Sequence, residues 1–364
     1  MLKNIAILGN GQLAEMMHDE SSELGLNTTS FPLPNINKDG SCEQKEIDLW
    51  LQNLKDFDCV TFEIENIPVM LLKAVEQVLP VYPSIEALAV SQDRLNEKQL
   101  FNNLEIPTNE FLAVSSLADL KIAADKLGFP FVLKTRRFGY DGKGQFVLKQ
   151  LNDIELAWSE IGSEYLIAEK FVNFDYEVSQ VATRGKNGDI LFYDLGRNEH
   201  RNGILRETYV LPHPNVEIVR KAKLVARKLL DNFNYIGTMA VELFVIGDDI
   251  YVNETAPRVH NSGHWTIDGA DTSQFNNHLR AISGQDLGSV NMKTKHVMMI
   301  NLIGEDASQN MFESSNVCVK SYNKEVRENR KIGHINITNH SKENFLVDIA
   351  EVYRKIKAKP CIEL

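Results

Sequence analysis

The apolar and polar positions divide the chain into two regimes. Ile5–Leu8 is a continuous apolar run that predicts a buried strand, ending in the turn Gly9-Asn10-Gly11. Glu15 to Leu24 then follows a helical period. Cys59-Val60-Thr61-Phe62 predicts a second strand, Leu71–Leu79 an amphipathic helix, and Val81-Tyr82-Pro83 a short strand stopped by its proline. Such alternation predicts a parallel sheet for about the first hundred residues. Ser91 to Asn103 predicts one polar helix leading into a new domain.

From about Ile106 the pattern changes. Phe131–Lys134 and Gln145–Leu148 predict two strands joined by a glycine-rich loop, and Leu166–Lys170 and Glu177–Thr183 two more. Glu217 to Asn232 is a basic amphipathic helix, and Gly237–Ile246 with Ile250–Thr255 forms a hairpin around Gly247-Asp248-Asp249. A helix near Ser273–Ile282 follows, then from about His296 short strands and turns, closed by a helix near Glu343–Lys355. The expected division is an N-terminal α/β unit over residues 1–95, a largely antiparallel α+β unit over 96–290 and a small β-rich segment over 291–364. A flap subdomain is expected at about 106–185. There is no internal repeat.

A chain of 364 residues suits two or three packed domains. With 43% hydrophobic and 24% charged residues, it has the composition of a soluble globular protein, and no apolar run approaches a membrane span. No small-residue cleavage site follows the first apolar run, which is therefore expected to be a core strand and not a leader. Cys42, Cys59, Cys318 and Cys361 are scattered, as free thiols in a reducing cytosol are. The formal net charge of −11 argues against a nucleic-acid binder but leaves room for local cationic pockets, at Lys134–Arg137 and Arg327–Lys331.

The loop Gly139-Tyr140-Asp141-Gly142-Lys143-Gly144-Gln145 follows Lys134 and leads into a strand, not a helix. It therefore reads as a hairpin flap whose backbone N–H groups and lysines can meet a triphosphate, rather than as a P-loop. Counting across the Gly247-Asp248-Asp249 turn sets Glu242 opposite Asn253, Glu254 or Thr255, according to loop length. Carboxylates side by side on apolar strands call for a hard cation, and Mg²⁺ suits oxygen donors shared with phosphates. Glu169-Lys170-Phe171-Val172 can serve as an adenine hinge, with Glu177 as ribose acceptor. Arg258-Val259-His260-Asn261-Ser262-Gly263-His264 gathers polar donors around a glycine and reads as an anion-handling loop. Gly9-Asn10-Gly11-Gln12-Leu13-Ala14 matches a dinucleotide turn, but no acidic residue ends a second strand at the spacing NAD needs. It reads instead as a helix N-terminus for another phosphate or polar ligand.

In this order, these segments resemble the ATP-grasp enzymes, and among them the bicarbonate-using 5-(carboxyamino)imidazole ribonucleotide synthetases. The resemblance runs from Gly9 to about Ile335 and is most specific in Lys134–Gln145, Glu199–Arg206, Asn253–Arg258 through His264-Trp265-Thr266, and Arg330–His334. It implies an ATP-grasp fold with a pre-ATP-grasp domain, and ATP contacts from Arg94, Lys134, Gly139 to Gln145, Glu169 to Val172, Glu177, His200, Asn253 and Glu254. Glu242 and Glu254 become the Mg²⁺ ligands, and the Arg258–His264 loop, with Asn261, Ser262 and His264, holds bicarbonate. The amino-ribonucleotide is placed against Gly11, Gln12, Glu63 and Asn66, with Arg330 and Lys331 near its phosphate. One departure is Glu15, where the family commonly has Arg.

What the resemblance implies is carboxylation of aminoimidazole ribonucleotide through carboxyphosphate in purine synthesis, by a cytoplasmic homodimer that needs no nucleic acid or membrane. Tyr140, Arg258, His260 and Lys331 are the catalytic candidates, Tyr140 and His260 for proton handling. The alternatives are an ATP-grasp ligase activating formate, a nicotinamide-dependent dehydrogenase, and a nucleotide-binding module without catalysis.

Overall fold

The computed structural model describes residues 3–33, 35, 42–139, 144–161, 165–210 and 215–361. In the N-terminal unit β1 (Asn4–Leu8) lies between β2 (Asn27–Phe31) and β3 (Cys59–Phe62), all parallel. Around this sheet run α1 (Gln12–Ser21), α2 (Gln44–Asn53), α3 (Val69–Glu76) and α4 (Ile85–Ser91). Ala6, Leu8, Val60 and Phe62 face α2 and α3 through Trp50, Leu71 and Val75, while Ile5 and Ile7 face α1 through Leu13 and Met17. The central strand, covered on both faces, is apolar and buried from Ile5 to Leu8, as a buried parallel strand must be.

The polar helix expected at Ser91–Asn103 is present but starts three residues later, at Arg94, since Ser91 is the last residue of α4. The chain turns at Gln92-Asp93, and α5 (Arg94–Asn103) starts there because the Asp93 carboxylate accepts from Leu95 N–H at 3.0 Å. The domain boundary expected after residue 95 therefore falls inside α5.

A small antiparallel sheet follows in the order β4 (Phe111–Val114), β7 (Leu166–Lys170), β5 (Phe131–Thr135), β6 (Gln145–Leu148). It is backed by α6 (Leu117–Leu127) and α7 (Asp153–Ile161) through Leu120, Ala124, Ile154 and Ala157. This body closes at Lys170, short of the expected 185, because β8 (Tyr176–Arg184) joins a larger sheet.

Among the described residues that larger sheet also contains β9 (Ile190–Phe192), β10 (Gly196–Arg201), β11 (Ile204–Val210), β12 (Gly237–Ile246), β13 (Asp249–Ala256), β14 (His296–Ile303), β15 (Val317–Ser321) and β16 (Lys331–Asn339). Its order is β13-β12-β8-β10-β11-β14-β16-β15, with β9 on β8. The last segment holds strands of eight and nine residues in β14 and β16, not short ones, and they extend the central sheet through the β11–β14 pair. The helices are α8 (Val216–Asn232), α9 (Thr266–Gly269), α10 (Gln274–Ser283) and α11 (Lys342–Lys355). α8 covers β8 and β12 with Ala222, Val225, Ala226 and Leu229, and α11 covers β14 and β16 with Phe345, Ile349 and Val352. No described helix is long and apolar enough to cross a membrane, and all four cysteines are free.

Candidate active site

The β12–β13 hairpin turns at Gly247, whose φ of +56° is left-handed. From there the ladder runs in register to Leu243↔Val252, then slips by one residue, so that Asn253 bulges and Glu242 pairs with Glu254. Of the three partners that counting leaves open, the bulge selects Glu254. Glu242 is the more enclosed carboxylate, its side chain 13% exposed against 47% for Glu254. Burial and the facing Glu254 charge push Glu242 up to about 7. Among the described residues no cluster of three or more His, Cys, Asp or Glu side chains forms a metal cage. Two hard oxygen donors on facing strands are instead what Mg²⁺ uses when phosphates and water complete its shell.

Beside this pair, His260 Nε2 lies 3.6 Å from Glu242 Oε1. Ser262 N–H donates to His260 Nδ1 at 3.3 Å, so the neutral ring carries its proton on Nε2, toward the carboxylates. Burial, then the charges of Arg258, Lys331 and His200, hold His260 well below the usual histidine range. It is therefore neutral here, a donor through Nε2 and a weak base. His200 Nδ1 stands 2.7 Å from Glu177 Oε2. Burial lowers the basicity of His200, but Glu177 and Glu242 outweigh it and raise its pKa. Lys331 is felt electrostatically by Glu242, His200 and His260.

The loop after β13 is held from behind by Gln274, which accepts from His260 N–H at 3.0 Å and donates to His260 O at 2.6 Å. Asn261 is tied to Asn301 at 3.0 Å. Two expected substrate ligands do not face the site. Ser262 is wholly buried, its hydroxyl 2.9 Å from His260 Nδ1, and so orients the ring. His264 is likewise buried, in tilted and edge-on contact with Phe275, Tyr322 and His334, where an imidazole packs as an aromatic and stays neutral.

The nucleotide end gathers on α5 and the small sheet. Arg94 donates to Thr135 O and Gly139 O, each at 3.2 Å, and comes within 4.0 Å of Glu254. Lys134 and the buried Lys98 both approach Glu169 Oε2, at 3.2 and 3.7 Å. Burial alone would raise the Glu169 pKa; the two lysines overcome it and bring it down to about 2. Glu169 Oε1 is buried without a hydrogen-bond partner among the described residues. Two amides of the expected hinge are engaged within the fold: Lys170 N–H donates to Glu110 O at 2.8 Å and Phe171 N–H to Pro130 O at 3.3 Å. Those two amides serve the fold; Val172 is half-buried beyond them. At the flap base the carbonyl of Gly144 (φ +72°) accepts from Thr135 N–H, and a Cβ on this glycine would meet Thr135 Oγ1 at 2.8 Å. Gln145 is exposed opposite Lys134. Tyr140, Asp141, Gly142 and Lys143 lie outside the described residues.

At the N-terminal turn, Glu63 accepts from Gly11 N–H and, at 2.8 Å, from Ala14 N–H. The helix N-terminus expected to take a phosphate is thus capped by the chain's own carboxylate. Gln12 accepts from Lys324, and Asn66 is exposed. Glu15, which stands where the family commonly has Arg, pairs with Lys320 at 3.5 Å, as does Asp19 at 2.6 Å. The departure is a contact between α1 and β15. Arg330 donates to Glu325 O at 3.4 Å.

Asp93, Lys98, Gln92, Gln274 and Glu97, whose carboxylate accepts from Thr255 N–H at 2.8 Å beside Glu254, are not among the expected residues. Only Glu97 and Lys98 carry a sequence signal, adjacent charges on a helix that must pack on something. The others depend on contacts far along the chain.

Three family models match consecutive parts of the chain: a ribonucleotide synthetase preATP-grasp domain over residues 2–92, an ATP-grasp domain over 99–275, and a phosphoribosylaminoimidazole carboxylase C-terminal domain over 297–347. The chain is 40% identical to the N5-carboxyaminoimidazole ribonucleotide synthase of Pseudomonas aeruginosa, over 97% of this chain and 99% of that one. It superposes on the N5-carboxyaminoimidazole ribonucleotide synthetase of Thermus thermophilus with a TM-score of 0.90 at 36% identity, covering 98% and 100% of the two chains. It is similar also to the N5-carboxyaminoimidazole synthase of Aspergillus clavatus in complex with ADP and 5-aminoimidazole ribonucleotide, with a TM-score of 0.86 at 26% identity over 98% and 99%.

Proposed function

Because the chain belongs to the N5-carboxyaminoimidazole ribonucleotide synthase family of ATP-grasp ligases, we propose that the residues around Glu242 and Glu254 are its carboxylation site. The enzyme is an ATP-dependent carbon–nitrogen ligase that carboxylates 5-aminoimidazole ribonucleotide in purine biosynthesis. One observation carries the site assignment: the bulge at Asn253 turns two carboxylates toward each other on strands that Arg94 links to the flap base.

ATP would lie between the flap and this hairpin. Lys134 supplies charge to its phosphates, and the orphaned Glu169 Oε1 matches an amino-group donor such as adenine N6. That pairing favours ATP over GTP. Glu242 and Glu254 would hold Mg²⁺, which neutralises phosphate charge when bound.

Bicarbonate is a poor electrophile. Its oxygen attacks the γ-phosphorus and ADP leaves, giving carboxyphosphate. The amine of the ribonucleotide then attacks the carbon of carboxyphosphate, or of CO₂ released from it, so that phosphate departs and the nitrogen gives up one proton. Arg258, Lys331 and the Nε2–H of His260 supply fixed positive charge and a donor where negative charge develops on these oxygens. Placement and charge, not covalent catalysis, carry such transfers. Glu63 and Asn66 would meet the ribonucleotide, with Arg330 and Lys331 toward its phosphate. The same family resemblance supports a homodimer working in the cytoplasm, which sedimentation and cell fractionation test.

The deciding assay is ADP release with bicarbonate and 5-aminoimidazole ribonucleotide, each omitted in turn. Turnover should require both and vanish in Glu254→Gln. Turnover with formate and glycinamide ribonucleotide instead would reassign the substrate, and an unchanged rate in Glu254→Gln would remove the metal role.

A further inference from the structure

We propose that Glu65 is a positioning residue for Arg258, itself fixed by Gln92, so that side chains of the N-terminal unit aim the guanidinium at bicarbonate. The inference rests on the assignment of Arg258 to the anion.

The geometry is that of a clamp. Arg258 Nη2 stands 2.7 Å from both carboxylate oxygens of Glu65. Nη1 donates to Val259 O at 2.8 Å. With two of its three nitrogens committed, the planar guanidinium has one orientation. The remaining Nε–H is buried and has no acceptor among the described residues. An unpaired buried donor is costly, and an anion oxygen is the natural group to complete it.

Glu65 is held in turn. It sits in the loop after β3, where a long side chain on a free backbone would aim nothing. Gln92, at the end of α4 and only 9% exposed, donates from Nε2 to both Glu65 O and Ile67 O at 2.7 Å. Its Oε1 accepts from Arg137 at 2.8 Å. A continuous polar chain thus runs from the end of β5 through Gln92 and Glu65 to Arg258. It crosses between the N-terminal unit and the ATP-binding part, so packing between these parts sets the direction of Arg258.

Steady-state kinetics with bicarbonate and ATP varied separately test the role in Glu65→Ala, Glu65→Gln, Gln92→Ala and Arg258→Ala. Glu65→Ala should lower kcat/KM for bicarbonate about 10- to 100-fold, the cost of misplacing a reacting group. Glu65→Gln retains one acceptor for Nη2 and should recover most of that loss. Gln92→Ala should show a smaller loss of the same kind. In all three, KM for ATP and the affinity for ADP should stay within about twofold of the parent, which a general loss of structure would not allow. Arg258→Ala separates the two levels. If it leaves bicarbonate dependence unchanged, the anion assignment fails. If it lowers bicarbonate kcat/KM while Glu65→Ala does not, or if Glu65→Ala weakens ATP equally, the positioning role fails alone.

Discussion

Glu63 Oε2 accepts a 2.8 Å hydrogen bond from Ala14 N–H, so the first helix of the chain is capped by a residue forty-nine positions away. A glycine turn that resembles a dinucleotide site is here a socket for a carboxylate. Gly9 and Gly11 are small because the Glu63 side chain lies against them: a Cβ would come within 2.5 Å of Glu63 Cγ at Gly9 and 2.8 Å of Oε1 at Gly11.

Gly11→Ala should therefore act through Glu63. Displacing that side chain should cost about 1–3 kcal/mol, as overpacking does. Glu63→Ala should cost about 0.5–2 kcal/mol through loss of the cap. Both are read by urea unfolding, and the double variant should cost less than the sum because the clash disappears with the carboxylate. Strict additivity would show that the two residues do not interact.

The Glu242–Glu254 pair predicts a pH dependence with a definite sign. Burial and the Glu254 charge push Glu242 up to about 7, above its ordinary 4.5. A carboxyl raised on folding binds more protons in the native state, so its contribution to stability is lost as pH rises through about 7. Without metal, the wild type should lose stability relative to Glu242→Gln between about pH 5 and 8. Mg²⁺ competes with that proton, so its apparent affinity should weaken on acidification, by up to about tenfold per unit below the pKa. Calorimetric titration at pH 6 and 8 measures it; equal affinities at the two values would contradict the assignment.

Much of this arrangement is legible in the residues. The hairpin, its two glutamates, the flap strands and α8 follow from periodicity and turn chemistry. The polar strands are harder. Gly196–Arg201 offers no apolar strand pattern, because polar residues there pair with charges, as His200 does with Glu177. Asn27–Phe31 escapes a pattern reading because an edge strand shows no continuous apolar run. Adjacency to His260 suggests a place in the site for Ser262 and His264, yet the local backbone turns both inward. Residues such as Gln92 and Gln274 are invisible in principle to a local reading, since their partners are set by tertiary contacts.

Lys98 contrasts with Lys170. Lys98 is 2% exposed and donates to Thr108, Asn109 and Val252 O at 2.8, 2.8 and 3.1 Å, beside Glu169. Lys170 pairs with Glu110 at 3.4 Å, with both side chains at least half exposed. Lys98→Ala should cost about 2–4 kcal/mol, because it opens a cavity and leaves the buried Glu169 carboxylate with Lys134 as its one neighbouring cation. Lys170→Ala should cost under about 1 kcal/mol. Chemical denaturation of the two variants checks the contrast, and similar losses would mean that the Lys98 network is not the brace that its burial indicates.

Asp93 does two jobs that substitution can separate. Its Oδ1 caps α5 through Leu95 N–H at 3.0 Å, and the carboxylate receives Arg136 Nε at 2.9 Å and Nη2 at 2.6 Å. The paired charge fixes the end of β5 against the start of α5, where Lys134 and Arg94 stand close by on either side. Asp93→Asn keeps a good cap but gives up the charge on the Arg136 bond. Its stability should fall by about 1 kcal/mol, whereas Asp93→Ala loses cap and pair together and should fall by about 2–4 kcal/mol. Because Arg94 and Lys134 are aimed by that junction, ADP affinity should drop in the same order, by several-fold in Asp93→Asn and more in Asp93→Ala. Thermal shift with and without ADP reads both quantities in one experiment. A large loss of stability with unchanged ADP affinity would mean that the junction braces the fold without aiming the nucleotide-binding cations.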